Sequence, residues 1–113
     1  MNESETDVWI LSFGWLERIL FGQIEEQLGK AHTPNPREDS IAWALKYCRR
    51  GYLVAGDYGE CGLVKWPETD DALEARMCLW LEPDPLDPLG PVMTLMFDLT
   101  AAGRALIPEG LRY

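Results

Sequence analysis

A helix marked at both ends and followed at once by a strand constrains this chain more than any other feature. Residues 35–57 read NPREDSIAWALKYCRRGYLVAGD. Asn35 is a suitable N-cap, Pro36 fits the first helical position, and Glu38 and Asp39 place negative charge in the first turn, where the helix dipole favours it. Lys46, Arg49 and Arg50 fall in the last turn, and Gly51 supplies the left-handed residue that stops a helix. Ile41, Ala44, Leu45 and Cys48 recur at three- and four-residue spacing and form one apolar face. Residues 52–55 then read as a short strand ended by Gly56 and Asp57.

The rest of the chain is arranged around this unit. Its 113 residues are expected to form a single domain over 1–113, and 47% hydrophobic content with five Trp supplies a core without disulfides or metal. Cys48, Cys61 and Cys78 are an odd number at wide spacings, so free thiols and a cytoplasmic location are expected. The start of the sequence has no basic region or cleavage site of a signal peptide, and residues 1–6 read as a frayed leader. The apolar run 8–21 is too short and too interrupted by charge to span a membrane.

Along the chain, Trp9, Phe13, Leu16, Leu20 and Ile24 follow helical spacing over 7–28, with a second apolar row of Val8, Leu11, Trp15 and Ile19 beside it. Either this helix lies centrally, or one row is covered by a second copy of the chain as a homodimer. Gly29 is the expected stop. After the organising unit, glycines near 59–62 suit a tight turn and 63–66 a return strand. A helix is expected over 70–81 from the Thr69 cap and the acids after it. A strand over 76–81 is the competing reading, because Met77, Leu79 and Leu81 also alternate. Residues 82–91 hold four prolines and read as an extended acidic loop. Residues 92–99 read as a strand and 101–107 as a short helix capped by Thr100. The fold class is therefore α+β, with a small antiparallel sheet and an inserted helix.

Two segments, FDLTAAGRAL at 97–106 and LKYCRRGYL at 45–53, resemble the strand-to-helix corner and the recognition-helix exit of winged-helix regulators of the MarR and PadR type. The resemblance implies a winged-helix-like scaffold, and, as one reading, a dimeric DNA-binding regulator that contacts phosphates through Arg37, Lys46, Arg49 and Arg50. The chain departs from that pattern where a short basic wing should lie. Residues 57–87 carry nine acids and two bases, net −7 of a total of −9, which repels a DNA backbone.

That segment supports a different leading expectation. Asp57, Glu60, Glu68, Asp70, Asp71, Glu74, Asp84 and Asp87, with Trp66 and Trp80 among them, form a candidate docking face for a basic protein. Immunity proteins, antitoxins and phage-encoded inhibitors present faces of this kind. No catalytic signature accompanies it. His32 is the single histidine and has no nucleophile beside it, Cys48, Cys61, Cys78 and His32 lack metal-ligand spacing, and residues 56–62 lack the lysine of a phosphate loop. A non-enzymatic chain without cofactor or metal is expected.

Overall fold

Ser4 opens the first helix by accepting a hydrogen bond from the Asp7 N–H at 3.1 Å. The computed structural model describes residues 4–60 and 62–112. Helix α1 spans Glu5–Ser12, so the expected leader shortens: residues 5 and 6 are helical, and 1–3 lie outside the described residues. The expected continuous helix over 7–28 is two helices. The chain turns after Ser12, forms a two-residue strand β1 (Ile19–Leu20), and re-enters helix as α2 (Phe21–Lys30).

Tertiary packing breaks the helical period at this turn. A Cβ on Gly14 would lie 2.9 Å from Leu99 Cγ and 3.3 Å from Ile19 Cδ1, so the chain passes the sheet where no side chain fits. Ile10, Leu11, Ile19, Phe21 and Ile24 are fully buried within one chain. Of the two rows that suggested a dimer, Leu11, Ile19 and Ile24 are buried, Val8, Phe13, Trp15 and Leu20 are half-buried, and Trp9 and Leu16 are exposed.

Helix α3 spans Pro36–Arg49 with Pro36 at its first position. Asn35 makes no side-chain cap hydrogen bond; the Thr33 hydroxyl instead bonds the Asp39 carboxylate at 2.5 Å. The far end follows the expected chemistry: Gly51 takes φ of 78°, its N–H reaches the Cys48 carbonyl at 3.1 Å, and the Tyr52 N–H reaches Tyr47 at 3.0 Å, the two bonds of a Schellman stop.

Helix α2 ends in the same way on a different residue from the one expected. Gly29 stays helical, while His32 adopts φ of 64°, with His32 N–H to Gly29 and Thr33 N–H to Leu28. A non-glycine residue in this conformation costs about 1 kcal/mol. His32→Gly is therefore expected to raise stability by about 0.5–1 kcal/mol, read as a higher urea midpoint at constant slope. A lower midpoint would show that the imidazole contributes a contact at this stop.

The sheet is antiparallel, in the order β1–β4–β2–β3, with β2 at Leu53–Gly59, β3 at Gly62–Lys65 and β4 at Met96–Leu99. Central β4 pairs Phe97 with Ile19 on one side and with Ala55 on the other. The β2–β3 hairpin is as expected and longer in its first strand. The 92–99 strand is only half strand: Gly90–Thr94 forms helix α5, with Pro91 in its first turn, and only 96–99 enter the sheet. Helix α4 (Asp70–Trp80) fills the expected inserted position, with Leu73 and Met77 buried, so the alternating strand reading of 76–81 does not hold. Helix α6 (Ala101–Arg104) and a 3-10 turn at Glu109–Leu111 close the chain.

The fold is α+β, with helices over a four-stranded sheet. Helix, short strand and two helices precede β2, β4 lies between β1 and β2 in the sheet, and β3, α4 and α5 come between β2 and β4 in the chain. This arrangement is compatible with a winged-helix-like scaffold. Among the described residues, no helix is long and apolar enough to cross a membrane.

Candidate functional site

Helix α4 lies along α3 in the opposite direction, held at both ends. At one end, Asp70 at the start of α4 pairs with Arg49 at the close of α3, 2.9 Å apart. At the other, the Arg37 guanidinium donates to the Leu81 carbonyl at 3.1 Å and to Glu25 at 2.6 Å. Between the helices, β2 and the 65–69 connection is a cleft of about 920 Å³ lined by Leu45, Leu53, Trp66 and Leu73 among others. Asp70 adopts φ of 50°, a left-handed conformation for a residue with a side chain, while Thr69 makes no side-chain cap.

The cations expected to face DNA are turned to partners within the chain. Lys46 reaches Asp7 at 3.4 Å and stands over the Tyr47 ring at 4.8 Å. Arg50 stands over the same ring at 5.7 Å. The Asp7 carboxylate also accepts from Tyr47 Oη at 2.6 Å and Trp43 Nε1 at 3.0 Å. Burial pushes the Asp7 carboxyl up, but the hydrogen bonds from Tyr47 and Trp43 and the Lys46 charge outweigh it and hold Asp7 below the ordinary carboxylate range. Sequence reading missed Asp7 because its partners lie 36 to 40 residues away. The one local signal was Ser4 at N-cap spacing from Asp7, in a stretch that reads as a frayed leader.

The acidic segment divides into used and unused carboxylates. Glu68 accepts from Arg76 at 2.5 Å, and that hydrogen bond lowers its pKa. Asp70 is taken by Arg49. Among the described residues, Asp57, Glu60, Asp71, Glu74, Glu82, Asp84 and Asp87 form no ion pair, and all but the half-buried Asp57 are exposed. The two tryptophans also part ways. Trp66 is 3% exposed, beneath the Arg76 guanidinium at 4.3 Å, so the expected surface anchor is a core residue. Its indole N–H is buried without a hydrogen-bond partner among the described residues. Trp80 is half-buried, meets Trp66 edge-on at 5.5 Å, and donates to Thr94 Oγ1 at 3.2 Å.

Of the thiols, Cys48 is pushed up to about 12 by burial, whereas Cys78 is exposed on α4. Peptide-resolved iodoacetamide labelling at pH 8 is expected to modify Cys78 and spare Cys48 until the chain unfolds. Comparable labelling of both in the native state would show that the α3–α4 cleft opens. Among the described residues, no group of three or more His, Cys, Asp or Glu side chains is placed to hold a metal ion. No family model, curated protein or solved structure matches this chain.

Proposed function

We propose that this chain is a non-enzymatic, cytoplasmic, acidic protein-binding domain that neutralises a basic partner, the role filled by bacterial immunity proteins, antitoxins and phage-encoded inhibitors. One observation carries the reading: α4 lies along α3, with carboxylates already on Arg37, Lys46 and Arg49, while Glu60, Asp71, Glu74, Glu82, Asp84 and Asp87 are exposed and form no ion pair among the described residues. DNA approaching α3 would have to displace those carboxylates and overcome the repulsion of the inserted segment, without the counterion release that phosphate contacts supply. A cationic protein meets the opposite field, which accelerates encounter and adds specificity. Free thiols at Cys48 and Cys78 fit a reducing compartment.

The test is recovery of the tagged protein from its native host with and without nuclease. A near-stoichiometric basic protein that survives nuclease and is released by salt is expected. Nuclease-sensitive DNA fragments with no protein partner would overturn the reading. They would favour the second one, a dimeric winged-helix regulator of the MarR and PadR type, which the scaffold and the Thr100–Gly103 corner support. That reading requires duplex binding that disappears in Arg49→Ala/Arg50→Ala.

A further inference from the structure

Of the eight exposed large apolar side chains among the described residues, four fall on α4, the proline-rich loop and α5, and the other four, Trp9, Leu16, Tyr58 and Val64, lie elsewhere. Leu79 on α4, Leu86 and Leu89 in the proline-rich loop, and Met93 on α5 are 69%, 95%, 68% and 50% exposed. Apolar side chains exposed beside a groove are a mark of binding surfaces. Beside them, a groove of about 460 Å³ opens between the end of α4, the loop and α5, with Leu79, Trp80, Asp84, Asp87 and Thr94 in its walls.

The groove is held in shape by local contacts. Thr94 Oγ1 accepts from the Trp80 indole and donates to the Gly90 carbonyl at 2.8 Å, fixing the ring between α4 and α5. The Asp84 carboxylate accepts from the Leu86 N–H at 2.9 Å, which sets its direction. A Cβ on Gly90 would meet the Asp87 Oδ2 at 2.1 Å, so that carboxylate rests against the glycine. Arg76, the cation in this wall, is turned to Glu68 and the Trp66 ring and leaves both groove carboxylates uncompensated.

We infer that this groove seats an arginine from an amphipathic segment of the basic partner, with the segment's apolar residues covering Leu79, Leu86, Leu89 and Met93. The inference rests on the acidic-binding reading and adds to it the place of contact and the chemistry of the contact residue. Two carboxylates suit the fork of a guanidinium, and the Trp80 ring in the same wall is of the kind on which a planar cation stacks. Lysine would gain the charge but not the planar stacking.

The test uses the full chain and a fluorescein-labelled helical peptide carrying arginines flanked by leucines. Versions with lysine for arginine and serine for leucine serve as comparisons, all read by anisotropy at physiological salt. The arginine–leucine peptide is expected to bind most tightly. Asp84→Lys/Asp87→Lys should weaken it about tenfold or more, and Leu79→Ser/Leu89→Ser should weaken it while leaving the lysine peptide's ranking against arginine unchanged. Glu17→Lys/Glu109→Lys, an equal change of charge outside the insertion, should alter affinity less than about twofold. Equal losses from both charge reversals, or binding indifferent to the peptide's leucines, would overturn the groove as the place of contact and leave the acidic reading standing. That reading fails separately, by recovery of DNA instead of a basic protein from the host. Thermal melts of each variant establish that the fold is retained.

Discussion

Asp7→Ala is expected to lower the free energy of unfolding by about 3 kcal/mol, because it withdraws one acceptor from several donors at once. The Asp7 side chain is 14% exposed, Tyr47 is fully buried and Trp43 is 5% exposed. The Tyr47 hydroxyl and the Trp43 indole would lose this acceptor in an interior that water does not reach freely, and Lys46 would lose its counter-charge. Asp7→Asn keeps the shape and one acceptor oxygen and should cost about half as much. The two variants also separate charge from hydrogen bonding through pH. The folded-state pKa of Asp7 is depressed, so its contribution is complete above the unfolded-state value and is lost as pH falls through the folded one. The wild-type chain should therefore lose stability more steeply than Asp7→Asn below the ordinary carboxylate range, with the two curves converging in acid. Urea unfolding between pH 7 and pH 2 reads this directly, and parallel curves for the two proteins would exclude the charge of Asp7 as the cause.

This carboxylate also marks the boundary of what was legible in the sequence. The start and stop of α3 were written in adjacent residues: Pro36 at its first turn, basic residues in its last, and Gly51 after it. Local chemistry decides such ends, so local reading finds them. The same holds for the Thr100 cap, whose hydroxyl accepts from the Gly103 N–H at 3.1 Å; α4 begins at the expected residue although Thr69 makes no side-chain cap. The misreadings arose where distant residues overrode local pattern. A helical period continued through 13–20, yet Gly14 passes against Leu99 and Ile19 pairs with Phe97. Alternation over 92–95 suggested strand, yet Pro91 starts a helical turn and places Val92 against Gly22. That proline was a usable signal, since the first turn of a helix accepts proline and the middle of a strand does not.

At the candidate site, the charge of the insertion was readable from composition, but the division of its acids was not. Whether Asp70 is free or bound depends on Arg49, and Glu68 on Arg76, and both pairings follow from where α4 lands. Trp66 illustrates the same limit. Five tryptophans in 113 residues announce a core and an interface equally well, and only the packing of Arg76 over its ring assigns this one to the interior. The apolar rim of Leu79, Leu86, Leu89 and Met93 was hidden for the opposite reason: leucine and methionine read as core until burial shows otherwise.

Gly103→Ala is expected to destabilise the chain by about 2–3 kcal/mol, and its sign is the informative part. Gly103 lies within helix α6, where alanine is ordinarily favoured over glycine by up to about 1 kcal/mol. Propensity alone therefore predicts a more stable protein. Packing predicts the reverse, because the added Cβ would stand 2.2 Å from the Tyr52 carbonyl oxygen and 3.0 Å from Leu99 Cδ2. The carbonyl cannot readily withdraw: it accepts from the Thr100 N–H at 3.0 Å, and the neighbouring Gly51 carbonyl accepts from Thr100 Oγ1 at 2.5 Å. Displacing it would loosen the joint between the end of α3, the start of β2 and the end of β4. Gly51→Ala is the matched comparison. That position is open, with nothing near the added methyl, and its φ of 78° makes the cost conformational, about 1 kcal/mol. If chemical unfolding ranks Gly103→Ala below Gly51→Ala, close approach sets the corner. A Gly103→Ala variant more stable than wild type would mean that the corner yields and that helix propensity governs it.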